Sequence, residues 1–203
     1  MNTTEKIVES YFRLRHRCFT MADVKVHGGN NRQLDLLAYG VGDSAQYHIE
    51  IGVTHVPRFQ PDVDKLEKKI QFKFFGEARE LRKTAARKRV RKPARNYFHQ
   101  IIETYRYVGF EPPKVQRIWV TWQAPDVEKL AERLREYCKN NHLDDYCVRF
   151  MSFRDEIVPE LFKDIRTANY SDDALRTLSL LQQCDRQTKA GRELGRQSRL
   201  KHD

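Results

Sequence analysis

Cysteine is scarce in this sequence, and its few occurrences are scattered. Cys18, Cys138, Cys147 and Cys184 form no CxxC pair and do not have the spacing of zinc ligands. These spacings exclude a disulfide-stapled scaffold and a zinc finger as the basis of the fold. Free thiols are typical of a reducing compartment, so we expect a cytoplasmic protein.

Long apolar runs are also missing. No stretch approaches the roughly 20 apolar residues that a membrane-spanning helix needs. The N-terminal segment MNTTEKIVES has no apolar core of the kind found in signal peptides. The sequence therefore predicts a protein without a membrane segment.

Acidic residues are outnumbered by basic ones. The 203 residues include 38 Lys and Arg but only 28 Asp and Glu, which gives a formal net charge of +10. A positive surplus of this size favours polyanionic partners through long-range attraction and counterion release. We expect a nucleic acid, in the first place DNA, to be the partner, and the sequence leaves open whether the protein forms a homodimer.

The order of helical and strand patterns predicts an α/β fold. A mixed central sheet flanked by helices follows from the order α-β-β-β-α-α-β-α-β-α, because short Gly-containing turns join the first three strands as an antiparallel meander. We expect one domain over residues 1–186, with a basic helical insertion at about 79–95, and a polar basic tail over 187–203. The expected elements are a helix at 3–16 capped by Thr3 or Thr4, strands at 22–27, 32–39 and 46–55, a long helical stretch after Pro57 and Pro61, a helix at 95–107, a strand at 115–122, a helix at 126–141 and a strand at 147–153.

Two carboxylates carry the chemistry of the expected site. Asp35 lies on the second predicted strand and Glu50 on the third, so a hairpin between these strands would bring them together. Carboxylates within an apolar sheet need a cation or hydrogen-bond donors, and Mg²⁺ or Mn²⁺ suits oxygen ligands of this kind. The alternative is a pair of ordinary surface carboxylates that form salt bridges with Arg32 or Arg58.

The motifs around these acids resemble those of the PD-(D/E)XK superfamily of restriction-endonuclease-like nucleases. The resemblance covers residues 3–56: a helix with Glu, then Asn31-Arg32-Gln33-Leu34-Asp35-Leu36-Leu37, then His48-Ile49-Glu50-Ile51-Gly52-Val53. It implies a restriction-endonuclease-like core and Mg²⁺- or Mn²⁺-dependent hydrolysis of phosphodiester bonds. By the same resemblance, the metal ligands would be Asp35, Glu50, the carbonyl of Ile51, and Glu5 or Glu9 from the helix.

The sequence departs from the family pattern at Gly52, which stands where the E-x-K motif has its lysine. One interpretation is that a lysine from a neighbouring element replaces it. The other is that catalysis is lost and the chain is a nucleic-acid-binding module. We expect Lys25 or Lys68 to act as the replacement, and the other candidates are Lys65, Lys69 and His55. For His48, which shares the strand face of Glu50, a packing role is favoured.

A dense basic segment, RELRKTAARKRVRKPAR at residues 79–95, is the second feature with functional meaning. It holds nine basic residues and one acidic residue, and several arginines can contact several phosphates at once. A solvated loop and a docking surface for a protein partner are the alternatives. The aromatic residues of the next helix could stack on bases, but their helical spacing favours the core. The expected nucleic-acid-binding residues are Arg82, Lys83, Arg87, Lys88, Arg89, Arg91, Lys92 and Arg95.

Overall fold

The fold is α/β, with a five-stranded mixed sheet flanked by helices. A computed structural model describes residues 2–29, 31–54, 62–77, 96–123, 127–143, 148–165 and 168–199. The α/β class and the mixed sheet predicted from the sequence are thereby confirmed. Within these residues, no helix combines the length and the apolar character that crossing a bilayer requires.

The sheet is built from an antiparallel meander followed by two parallel strands. Its strands are β1 (Cys18–Lys25), β2 (Gln33–Gly40), β3 (Gln46–Ile51), β4 (Val115–Thr121) and β5 (Val148–Ser152), and they lie side by side in chain order. The first two pairings are antiparallel and the last two are parallel.

Among the described residues, six α-helices accompany the sheet. They are α1 (Thr3–Arg15), α2 (Val63–Phe74), α3 (Phe98–Tyr107), α4 (Val127–Asn140), α5 (Val158–Asp164) and α6 (Asp173–Arg199). A 3₁₀ turn at Pro112–Lys114 leads into β4, and a π-helical turn at Phe153–Ile157 leads into α5.

The two faces of the sheet have different helical covers. On one face, Val8 and Phe12 of α1 pack with Ile49 of β3 in a buried apolar cluster. On the other, α2 and α4 pack over Trp119, and α3 packs over Leu37. Side chains alternate along a strand, so Glu50, the neighbour of Ile49, points away from α1.

Several element ends differ from the sequence prediction. Strand β1 begins at Cys18 rather than position 22, because pairing with β2 starts at Cys18, even though Phe19 is 74% exposed. Strand β3 ends at Ile51 rather than position 55. Helix α1 is capped by Asn2, not by Thr3 or Thr4.

Most of the residues of the expected polar basic tail, up to Arg199, are helical in the structure. Helix α6 runs from Asp173 to Arg199 without a break at position 187. Its sequence is rich in Gln, Arg, Lys and Leu, which are favourable in helices. The side chains from Gln183 to Ala190 are all exposed, so this part of α6 is a helix that stands in solvent.

The turn after α2 supplies a test of the fold. Gly76 has a φ of +69°, and a Cβ there would overlap the backbone of Tyr97 and Phe98. We expect Gly76→Ala to lower the free energy of unfolding by roughly 2–5 kcal/mol, from left-handed strain plus overlap. The matched control is Gly109→Ala, with φ +83° and no atom near the added methyl, which should cost only about 1 kcal/mol. Equal losses in urea unfolding would contradict this packing.

Candidate active site

Asp35 and Glu50 lie next to each other where β2 meets β3. The antiparallel register pairs Leu36 with Ile49. Asp35 precedes Leu36 and Glu50 follows Ile49, so the two acids lie opposite each other. The Ile51 N–H donates to Asp35 Oδ2 at 2.9 Å, and the Asp35 N–H approaches Glu50 Oε1 at 3.4 Å. Glu50 is fully buried, whereas the side chain of Asp35 is 19% exposed. The strand register therefore brings the predicted acids together, with solvent reaching only Asp35.

Lys73 of α2 joins the two acids. Its Nζ lies 2.8 Å from Asp35 Oδ1 and 2.5 Å from Glu50 Oε2. The Lys73 side chain is 22% exposed, so the three charges form a mostly buried cluster in which one ammonium group compensates two carboxylates.

Helix α2 directs Lys73 to this place through its apolar face. Leu66, Ile70 and Lys73 follow one another at intervals of four and three residues, so all three lie on the side of the helix that meets the sheet. Leu66 and Ile70 are buried against the sheet and α4. Lys73 thus continues the apolar stripe formed by Leu66 and Ile70, and the packing of these two residues sets the position of the lysine.

Arg32, from the predicted motif, fastens the end of α2 to the start of β2. Its guanidinium donates to the carbonyls of Phe72 and Glu77, the second at 3.1 Å, and lies 4.0 Å from the Phe72 ring centroid. The last carbonyls of a helix lack partners within the helix. By binding there, Arg32 holds the turn of α2 that carries Lys73.

Burial opposes ionisation of both acids. Burial, followed by the charge of Glu50, raises the pKa of Asp35 to about 6, although Lys73 and the Ile51 N–H counteract the rise. Burial also raises the pKa of Glu50, and again Lys73 opposes the change. Burial lowers the pKa of Lys73, but the two carboxylates outweigh it and the net shift is upward.

The other oxygen of Glu50 is held by a histidine. His48 Nε2 lies 2.9 Å from Glu50 Oε1, and His48 Nδ1 lies 2.6 Å from the hydroxyl of Tyr105 on α3. All three side chains are fully buried. In line with the packing role that the sequence favours, the His48 ring also packs against the Phe74 ring, with 4.6 Å between the ring centroids.

Gly52 has no room for a side chain. A Cβ at this position would overlap the indole ring of Trp119 on β4. A lysine at the E-x-K position is therefore incompatible with this packing. The structure instead supplies an ammonium group to the same two acids from α2.

The other predicted ligands and lysines have different surroundings. Glu5 closes the capping box of α1 with Asn2, and Glu9 accepts a hydrogen bond from Thr20 at 2.7 Å. Across the described ranges, no three carboxylate, His or Cys side chains are arranged to hold a metal ion. The helix acids are not brought together with Asp35 and Glu50, because α1 packs on the opposite face of the sheet.

The lysines that the sequence offered as replacements are all exposed: Lys25 at the end of β1, and Lys65, Lys68 and Lys69 on α2.

Several predicted residues lie outside the described ranges. They are His55, Arg58 and the whole basic set: Arg82, Lys83, Arg87, Lys88, Arg89, Arg91, Lys92 and Arg95.

No protein-family model matches this chain, and neither the curated proteins nor the solved structures include a match to it. The candidate site therefore rests on its own geometry.

Removing the ammonium group should shift the titration of both acids. In Lys73→Met we expect the pKa of Asp35 to rise above its value of about 6, because the attraction that favours the ionised form is lost. A pH titration of the ¹³C carboxyl resonances measures this. The control is Lys69→Met, which removes the same charge from an exposed position one turn away and should leave Asp35 unchanged. An unaltered Asp35 pKa in Lys73→Met would contradict the ion cluster.

Proposed function

We propose that this protein is a metal-dependent nuclease of the PD-(D/E)XK type that hydrolyses phosphodiester bonds in DNA. The observation that carries the proposal is the contact of Lys73 Nζ with both Asp35 and Glu50. The resemblance requires two strand acids and one lysine, and the sequence has Gly52 in place of that lysine. Lys73 is the replacement that we assign, in place of Lys25 or Lys68.

The topology supports a restriction-endonuclease-like core. An N-terminal helix, an antiparallel meander of three strands, and a helical crossover to two parallel strands is the arrangement that the resemblance implies. Asp35 lies on β2 and Glu50 on β3, the second and third strands of the meander, as the motif order requires.

The donor set fits a hard divalent cation. Asp35 Oδ1 and Glu50 Oε2 converge on one cationic atom, Lys73 Nζ, and oxygen ligands suit Mg²⁺ or Mn²⁺. The Ile51 carbonyl would complete the protein ligands, with water or phosphate oxygens for the remainder, since Mg²⁺ commonly keeps several waters. When bound, such an ion supplies Lewis-acid activation of the phosphate and of the attacking water.

The residues of the chain have separate tasks in this proposal. Asp35 and Glu50 bind the ion, and Asp35 must be ionised to do so. Lys73 keeps its proton because the carboxylates raise its pKa. It would place positive charge beside the phosphate, where the transition state gains negative charge.

The anchoring of the basic segment supports DNA as the substrate. The Tyr97 N–H donates to the Gly76 carbonyl at 2.8 Å, so the described residues on either side of the basic segment meet three residues after Lys73. Between Glu77 and Asn96 the sequence carries nine basic residues. Such a segment, tethered near the site, can contribute phosphate contacts and salt-dependent affinity.

A non-catalytic nucleic-acid-binding module is the second candidate, and one observation favours it. Lys73 already compensates both carboxylates, and among the residues placed by the structure no third acid joins them. The cluster could thus stabilise the fold without a metal.

Cleavage assays separate the two candidates. We expect supercoiled, branched or single-stranded DNA to be cut with Mg²⁺ or Mn²⁺ and not with EDTA. The rate should rise with pH through about 6, as Asp35 loses its proton. Lys73→Met should lower the rate about 10²–10³-fold, the usual effect of removing a group that stabilises transition-state charge. Asp35→Asn should abolish cleavage, and Lys69→Met should change it less than about twofold.

Two results would overturn the nuclease. Absence of cleavage by the wild type on every substrate, with salt-sensitive DNA binding intact, would establish the non-catalytic module. Full cleavage by Lys73→Met and Asp35→Asn would assign the activity to another site.

A further inference from the structure

A buried chain of hydrogen bonds lies behind Glu50, on the side away from Lys73. It runs from the Tyr105 hydroxyl to His48 Nδ1 at 2.6 Å, and from His48 Nε2 to Glu50 Oε1 at 2.9 Å. His48 is two residues before Glu50 on β3, so both side chains point to the same face of the sheet. Each member is fully buried.

The chain has one consistent arrangement of hydrogens. A neutral imidazole carries one N–H donor and one acceptor nitrogen. Glu50 Oε1 accepts, since Lys73 at the other oxygen favours the ionised carboxylate. Nε2 must therefore carry the hydrogen, and Nδ1 must accept from the Tyr105 hydroxyl. The opposite tautomer would set the Nε2 lone pair against a carboxylate oxygen.

The surroundings of His48 favour its neutral form. His48 is fully buried, and a charged side chain is costly in the protein interior. Arg117 is the neighbour of His48 in the parallel register of β3 and β4, and its guanidinium lies 5.5 Å from the Tyr105 ring centroid. A second positive charge on the imidazole would be unfavourable there.

We propose that His48 and Tyr105 are positioning residues, which fix the Glu50 carboxylate so that Oε2, the oxygen in contact with Lys73, faces the cation site. This inference rests on the proposed metal-dependent function. A ligand carboxylate with three rotatable side-chain bonds needs such support, because second-shell hydrogen bonds orient first-shell ligands and tune their affinity for metal. Tyr105 selects the tautomer of His48, and His48 in turn orients Glu50.

The most direct readout is the tautomer itself. Side-chain ¹⁵N spectra of the wild type should show a neutral His48 protonated at Nε2. In Tyr105→Phe the ring is kept and only the hydroxyl is lost, so the spectra should shift toward a mixture of the two tautomers. A role in packing alone would leave the tautomer unchanged. A wild-type His48 protonated at Nδ1 would overturn the proposal without any variant.

Metal affinity is the second readout, with Mn²⁺ as the probe. We expect Tyr105→Phe to weaken Mn²⁺ binding about 10-fold by titration calorimetry, in the range typical of second-shell changes. The matched control is Tyr47→Phe, which removes a buried hydroxyl from β3 on the face that packs against α1 and should leave the affinity unchanged.

The outcomes separate this inference from the function on which it rests. If the wild type binds Mn²⁺ and Tyr105→Phe binds it as tightly as Tyr47→Phe does, the positioning role is overturned and the nuclease proposal stands. If the wild type binds no Mn²⁺ in the presence of DNA, both fall. Weaker binding confined to Tyr105→Phe, together with the tautomer change, supports both.

Discussion

The structure depends on one electrostatic requirement: two carboxylates buried in a sheet must be compensated. Charged groups without partners are very costly in the protein interior. Lys73 meets the requirement by contacting both Asp35 and Glu50, and the surrounding packing serves to bring it there. Arg32 holds the C-terminal end of α2, and the buried Leu66 and Ile70 fix the position of that helix against the sheet. The absence of a side chain at Gly52 makes room for the indole ring of Trp119.

The same contacts are compatible with two functions, and the difference lies in what happens to Lys73. In a binding module it would remain the permanent partner of both acids. In a nuclease, Lys73 would give up its contact with at least one carboxylate to a divalent ion. It would then act in place of the lysine that the E-x-K motif lacks here. Partial exposure of Asp35 and Lys73 leaves a route for an ion, whereas the buried His48 and Tyr105 hold Glu50 from behind.

The strand pattern was sufficient to predict the fold class and the meeting of Asp35 and Glu50. Short turns require an antiparallel meander, and its register follows from the apolar pattern. Lys73 was not among the predicted residues, although its spacing from Leu66 and Ile70 marks it as a lysine on a buried helical face. Glu5 or Glu9 was expected near the site, but amphipathicity alone does not say which face of a sheet a helix covers. The hydrogen-bond partner of His48 could not be predicted, because Tyr105 lies 57 residues away on a different element.

The most direct test of the central claim is anomalous diffraction from crystals soaked in Mn²⁺. We predict a peak between Asp35 and Glu50, with Lys73 Nζ moved off at least one of their oxygens. The same crystal form of Lys73→Met should retain the peak, because the ligands remain. A site without Mn²⁺, in which Lys73 still bridges both carboxylates at high metal concentration, would contradict the account and leave the cluster as a structural ion pair.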